Sequence, residues 1–199
     1  MRETILKKYN AEIHSQPAIE GILELKKELN FTANEVQGID LQTFDVAYHI
    51  IGGGEEGNKS AVSTKEQADH SLPYLLSVAI LDDQVMPEQY REERIGRKDV
   101  QDLLKKVRVH PSEEYSERFP KEMPCRLSLT LSDGRIFVKE KSDYEGFLTR
   151  PMRWETVVKK FEQLSEPCTS SSLRRQIIDA IAHLERIQIA ELMGLLELR

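Results

Sequence analysis

The stretch CRLSLTLSDGRIFVKE (125–140) decides the fold, because it predicts a β-hairpin. Its first half alternates apolar with polar residues, which is the period of a half-buried strand. Asp133–Gly134 is a typical two-residue hairpin turn. The predicted register pairs apolar residues on one face, Leu131 with Ile136 and Leu129 with Val138.

Strand and helix patterns on either side of the hairpin predict an α+β domain. Residues 36–44 alternate well enough for a strand, residues 107–109 predict a shorter one, and residues 110–124 are predicted to form a loop. Two or three strands in a small antiparallel sheet, packed by helices, make the predicted architecture. Apolar spacing and capping residues predict several helices. One begins at residue 64 and breaks at Pro73, and another follows that break. The others cover residues 17–29, 45–51, 98–106, 154–164, 173–184 and 189–198.

The last two helices are predicted to be an appendage. Residues 1–166 form the predicted α+β domain and residues 167–199 the helical appendage. Apolar residues on the appendage recur at helical spacing and need a partner surface. They are Leu173, Ile177, Ile181 and Leu184.

Composition narrows the class of protein. The chain has 199 residues and a net charge of −6, with Lys and Arg interleaved among Asp and Glu, which argues against nucleic-acid binding. No apolar run approaches the length of a membrane span, and the first ten residues lack the features of a signal peptide. Cys125 and Cys168 stand far apart and predict reduced thiols in a cytoplasmic protein. The sequence contains no recognisable metal, P-loop or dinucleotide motif.

The loop KKYNAEIHSQPAIE (7–20) is the first candidate site. Pro17 suits the first position of a helix, so Glu12, His14 and Gln16 are expected beside the unpaired N–H groups of a helix start. A carboxylate, an imidazole and nearby lysines suggest acid–base chemistry on a small acid. The alternative is an ordinary loop with a polar helix cap.

A second candidate cluster lies where Pro73 interrupts an apolar helix. His70 and Tyr74 are four residues apart and are expected to share a helix face, where they can donate protons to a leaving oxygen. The more common arrangement is a half-buried histidine beside a core tyrosine.

Four stretches together resemble the MmgE/PrpD family, which includes 2-methylcitrate dehydratases. The order and spacing of these stretches are similar to the C-terminal half of the family across nearly the whole chain. They are YNAEIHSQPAIEG (9–21), ADHSLPYLLSVAILDDQV (68–85), RLSLTLSDGRIF (126–137) and RPMRWETVVKKF (150–161).

The resemblance implies a site shared with a large helical domain that precedes this half in family members. The final helices would pack on that domain. Catalysis would be β-elimination of water from a citrate-like acid, without a metal or another cofactor. The resemblance implies catalytic roles for Glu12, His14, His70 and Tyr74, and substrate binding by Lys8 and Gln16, with Lys7 as the alternative to Lys8.

Two positions depart from the family's usual residues, and a third, Glu12, distinguishes two branches of the family. Asp69 stands where many members have arginine, and Arg150 stands where many have asparagine. Glu12 is a histidine in the decarboxylase branch, so glutamate favours a dehydratase-like reaction. This chain alone is expected to be inactive.

Two alternatives remain open. The first is another reaction of the family, such as epimerisation, isomerisation or decarboxylation of a small carboxylate. The second is a non-catalytic assembly or dimerisation domain. The expected partners are a small carboxylic acid and either a second copy or a helical domain, with no nucleic acid and no membrane.

Overall fold

The computed structural model describes residues 4–55 and 57–197 and confirms the α+β class. The described strands form one four-stranded sheet in the order β2-β1-β3-β4. Their bounds are Val36–Thr43 (β1), Val107–Pro111 (β2), Cys125–Leu131 (β3) and Ile136–Lys141 (β4).

The sheet is mixed, whereas the sequence predicted an antiparallel one. Strands β1, β3 and β4 are antiparallel neighbours, but β2 runs parallel to β1, with Leu41 opposite Val109. A parallel neighbour requires a long crossover connection, and residues 44–106 provide it. The local pattern of a short strand carries no information on its direction.

The predicted register of the hairpin is wrong by one residue. Leu129 lies opposite Phe137, and Thr130 lies opposite Ile136. The turn has three residues, because only Gly134 adopts a positive φ (86°), while a two-residue type I′ turn would force Asp133 there too. The extra residue reverses the face of β4, so Ile136 and Val138 are exposed.

The helices of this part of the chain cover the sheet and form its core. The helix α4 is almost entirely buried, and α1 packs against both α4 and the hairpin strands. Ser71 caps α4, and Thr64 with Gln67 makes the predicted capping box of α3. The helices are α1 (Gln16–Leu29), α2 (Asp45–Ala47), α3 (Lys65–Asp69), α4 (Leu72–Asp82), α5 (Glu92–Ile95), α6 (Lys98–Leu104) and α7 (Glu113–Arg118).

The short helix α7 corrects the loop that was predicted over residues 110–124. Ser112 accepts a hydrogen bond from the backbone N–H of Tyr115, so a capped helical turn begins inside the charged stretch. Tyr115 is the residue that ties this turn to a small aromatic cluster. A single apolar residue in six gives no visible helical period, which is why the pattern was missed.

The chain divides into two compact units between Pro151 and Met152. The second unit contains α8 (Trp154–Ser165), α9 (Ser171–Ala182) and α10 (Ile189–Leu196). Helices α8 and α9 enclose an apolar cleft of about 130 Å³. The domain boundary expected after residue 166 stays a prediction.

None of the helices in the described part of the chain is long and apolar enough to cross a membrane. Cys125 is buried and Cys168 is exposed, and neither forms a disulfide.

Replacing Gly21 with alanine is expected to destabilise the protein by about 1–3 kcal/mol. A Cβ atom there would lie 2.8 Å from Leu127 Cδ1 and 3.3 Å from Lys141 Cγ, where α1 meets the hairpin. Gly194→Ala is the matched control, because no heavy atom lies within 4 Å of its added Cβ. The control should stabilise α10 by roughly 0.5–1 kcal/mol through helix propensity alone. Urea unfolding measures both, and a gain in stability for Gly21→Ala would contradict the close contact.

Candidate active site

The loop before α1 is held from inside by Gln16. Its side chain is buried, its Oε1 accepts a hydrogen bond from Tyr9 N at 2.9 Å, and its Nε2 donates to Tyr9 O at 3.2 Å. The helix begins at Gln16, one residue before the predicted start at Pro17, and Ser15 Oγ donates to Glu12 O at 2.6 Å. The side-chain amide of Gln16 therefore fixes the conformation of the loop. The role of Gln16 in substrate binding stays a prediction.

Glu12 and His14 form a largely buried pair. Glu12 Oε2 accepts from His14 N at 2.7 Å, and Glu12 Oε1 lies 2.8 Å from His14 Nδ1 as an ion-pair contact without hydrogen-bond geometry. The imidazole packs edge-on against Phe44 and Phe119, with ring centroids 5.5 and 5.7 Å away. Because a carboxylate favours the proton on Nδ1, Nε2 is the nitrogen that can exchange a proton with a ligand.

Lys8 is committed to an ion network on one side of the loop. Its ammonium lies 3.1 Å from Glu20 Oε1 and 2.9 Å from Glu145 Oε2. Glu20 is buried, and it also contacts Lys141 and Arg150. Burial raises the pKa of Glu20, but hydrogen bonds from Arg150 and Lys141 and the charge of Lys8 outweigh it and lower the pKa to about 2.

Lys7 lines a small pocket. This pocket, of about 190 Å³, brings the loop together with α3 and the turn before α5. Tyr90 forms part of the wall, and its hydroxyl donates a hydrogen bond to Asn10 O at 2.5 Å. The lining residues are Lys7, Asn10, Ala11, Lys65, Asp69 and Tyr90.

The second predicted cluster contributes to this pocket indirectly. Tyr74 is fully buried, its hydroxyl donates to Gln89 O, and its ring lies 6.4 Å from the ring of Tyr90. Burial raises the pKa of Tyr74 to about 12. His70 is half-exposed, with Nδ1 3.7 Å from Asp69 Oδ2. The two side chains do not share a face, and their catalytic roles stay predictions.

Sequence reasoning missed three residues of this region. Tyr90 and Lys65 lie far from the loop along the chain, and no motif connects them to it. Glu20 gave a weak signal, because a buried carboxylate among the apolar residues of α1 must pair with cations.

The geometry defines a class of site. A carboxylate-oriented histidine and a small pocket with two lysines are suited to acid–base chemistry on an organic acid, carried by an α+β domain. The C-terminal domain profile of the MmgE/PrpD family matches residues 9–186. The chain belongs to this family, which confirms the resemblance found in its sequence.

Two proteins of known activity are similar to this chain in sequence. Mouse cis-aconitate decarboxylase is 23% identical over 158 residues, which cover 79% of this chain and 30% of the relative. Human cis-aconitate decarboxylase is 26% identical over 137 residues, covering 66% of this chain and 27% of the relative. The matched region therefore spans less than a third of either relative's length.

Proposed function

We propose that this chain forms one wall of the active site of a lyase that acts on a small polycarboxylic acid. The observation that carries the proposal is the pocket in which Lys7 and Lys65 lie beside Asn10, next to the loop that bears the Glu12–His14 pair. Ammonium groups bind substrate carboxylates, and the imidazole moves the proton. The cytoplasm is the compartment we propose.

The proposed chemistry begins with removal of a proton alpha to a carboxylate. His14 Nε2 accepts the proton while Glu12 stabilises the imidazolium, and the pocket lysines stabilise the negative charge that develops on the carboxylate. In a dehydration, an acid then protonates the leaving hydroxyl, and His70 and Tyr74 stay the proposed donors. Glutamate at position 12 favours this dehydratase-like reaction, of the kind that 2-methylcitrate dehydratases perform.

Decarboxylation is the second candidate, and the two decarboxylase relatives favour it. There the bond to a carboxylate carbon breaks, CO₂ leaves, and the remaining carbanion takes up a proton. Both reactions need the same cations, and the product formed by the assembled protein, water or CO₂, separates them.

The second wall is proposed to come from a helical domain or a second copy of the chain. Exposed apolar side chains on the second unit, Trp154, Leu164, Ile189 and Met193, are compatible with such an association. A non-catalytic assembly domain would use that surface but would need no pocket of this kind.

A binding and turnover experiment tests the proposed function. The 199-residue chain should bind citrate and cis-aconitate, bind acetate much more weakly, and convert none of them at an enzymatic rate. Adding the helical domain that is proposed to supply the second wall should allow loss of water or release of CO₂. Calorimetry and a coupled assay measure the two steps. If the assembled protein binds these acids but leaves them unchanged, the lyase assignment is wrong.

A further inference from the structure

We propose that the edge strand β4 pairs with β4 of a second copy of this chain, in antiparallel orientation about a two-fold axis at Val138. The pairing joins two four-stranded sheets into one continuous sheet. No residue of β4 lines the small pocket beside the loop 7–20, so the interface does not depend on the proposed reaction.

The outer edge of β4 presents backbone groups that no described strand pairs with. Strand β4 is the last in the order β2-β1-β3-β4, so only its inner edge is paired, with β3. Leu131 N donates to Arg135 O at 2.9 Å, which turns the backbone groups of Arg135 towards β3. Because these directions alternate in an antiparallel ladder, the N–H and C=O groups of Ile136, Val138 and Glu140 point away from β3. A free edge of this kind is a template for pairing with another strand.

Apolar side chains stand beside the same edge. Lys139 and Lys141 contact α1, so Ile136 and Val138, at the alternate positions of the strand, project from the opposite face of the sheet. Ile136 is 64% exposed and Val138 is 49% exposed. Removing this apolar surface from water stabilises an association, so β4 offers a partner both hydrogen-bonding groups and apolar contacts.

The lysines of β4 do not protect this edge, because α1 holds them. Edge strands of native proteins are commonly protected by lysine side chains, by a proline or by a bulge. Lys139 Nζ lies 2.6 Å from Glu28 Oε1, and Lys141 Nζ lies 2.7 Å from Glu24 Oε1. The pairing of β4 with β3 continues without a register shift, and β4 contains no proline. The usual barriers to edge pairing are therefore missing from this strand.

Charge complementarity selects a second copy and one register. With Val138 opposite Val138, Lys139 faces Phe137, and no two like charges of the strand are directly opposed. Moving the axis by one residue opposes Lys139 either to itself or to Arg135, and like charges directly opposite destabilise a strand pair. The selected register also gives the three outward-facing residues hydrogen-bonded partners, about six bonds in all. The strand is therefore complementary to itself, as an isologous two-fold interface requires.

Sedimentation equilibrium of the full chain tests the association. An edge contact of this length lies below the ~1,200 Å² of a standard interface, so we expect a reversible dimer, with an average mass that rises above 22.9 kDa as the concentration approaches about 1 mM. Val138→Lys places two ammonium groups across the axis and should weaken the association by about tenfold or more. Val46→Lys is the matched control, because Val46 is 39% exposed on α2 and should leave the association unchanged.

A crosslinking experiment in the Cys168→Ser background tests the register. The background substitution removes the exposed thiol, and Cys125 is buried. Because Cα atoms of a hydrogen-bonded pair lie ~5.5 Å apart, within the range of a disulfide, Val138→Cys should crosslink two copies in oxidised glutathione. Glu140→Cys is the control, because the two copies of residue 140 stand more than about 13 Å apart in this register.

Each outcome decides the proposal. A chain that stays monomeric up to about 1 mM overturns it, and so does a dimer that Val138→Lys leaves intact. Equal crosslinking of Val138→Cys and Glu140→Cys overturns the pairing about Val138. Circular dichroism and thermal unfolding show whether each variant is folded. If Val138→Lys is unfolded, the crosslinking of Val138→Cys against Glu140→Cys decides alone.

Discussion

Glu20→Gln is expected to lower the free energy of unfolding by about 3–5 kcal/mol, because it removes a buried carboxylate that pairs with three cations. Glu20 Oε1 lies 3.1 Å from Lys8 Nζ, and Glu20 Oε2 lies 3.0 Å from Lys141 Nζ and contacts Arg150. Glutamine has nearly the same shape, so the loss reports on charge and not on packing. Equilibrium urea unfolding at neutral pH measures it.

The same carboxylate predicts a particular dependence of stability on pH. Its pKa in the folded protein is about 2, below its ordinary value of 4.5. The stability it contributes, about 3 kcal/mol, is therefore fully present above pH ~4.5 and is lost as the pH falls towards 2. Glu20→Gln should remove this part of the acid dependence.

Glu24→Gln is the matched control on the same helix. Its carboxylate contacts Lys139 and Lys141, but its side chain is 34% exposed, so we expect a loss below about 1 kcal/mol. Equal losses of stability for Glu20→Gln and Glu24→Gln would show that the burial of Glu20 does not strengthen its ion pairs.

Phe44→Ala is expected to cost about 3–5 kcal/mol of stability. Phe44 is fully buried, stacks on Phe119 with ring centroids 4.4 Å apart, and supports the ring of His14. Its removal leaves a cavity directly behind the imidazole, so the ring-proton chemical shifts of His14 should change as well. Denaturant unfolding and NMR measure the two effects.

Phe137→Ala provides the comparison for a less buried phenylalanine. Phe137 is only partly buried on the edge strand β4, so we expect a loss of roughly 1–2 kcal/mol and unchanged His14 resonances. A similar loss from both variants, or a His14 ring unaffected by Phe44→Ala, would contradict the supporting role of Phe44.

Local chemistry made much of the fold predictable. Pro17, the Thr64–Gln67 capping box and the Ser71 cap mark helix starts that the structure confirms. Each of these signals acts between residues within four positions of one another, so a single sequence contains all the information. The class and the family followed from the order of such segments.

The sequence-based predictions were wrong where the structure depends on residues distant in the chain or on a single backbone angle. The register of the hairpin depended on whether Asp133 would adopt a positive φ, and the direction of β2 depended on the path of residues 44–106. In the site, Lys8 belongs to an ion network because it pairs with Glu145, and the sequence does not indicate that these distant residues meet. Predicting the pocket likewise required the position of Tyr90. The only signal for this residue in the sequence was an aromatic residue in a polar turn.

The order of the strands affects the chain as it is synthesised. Strand β1 precedes the other described strands in the chain, yet both of its neighbours, β2 and β3, are translated only after residue 106. Until then its backbone hydrogen-bonding groups and apolar side chains have no partner in the sheet, which is the condition that promotes aggregation. Translation speed across the crossover and access to chaperones should therefore determine how much of this protein reaches its native state.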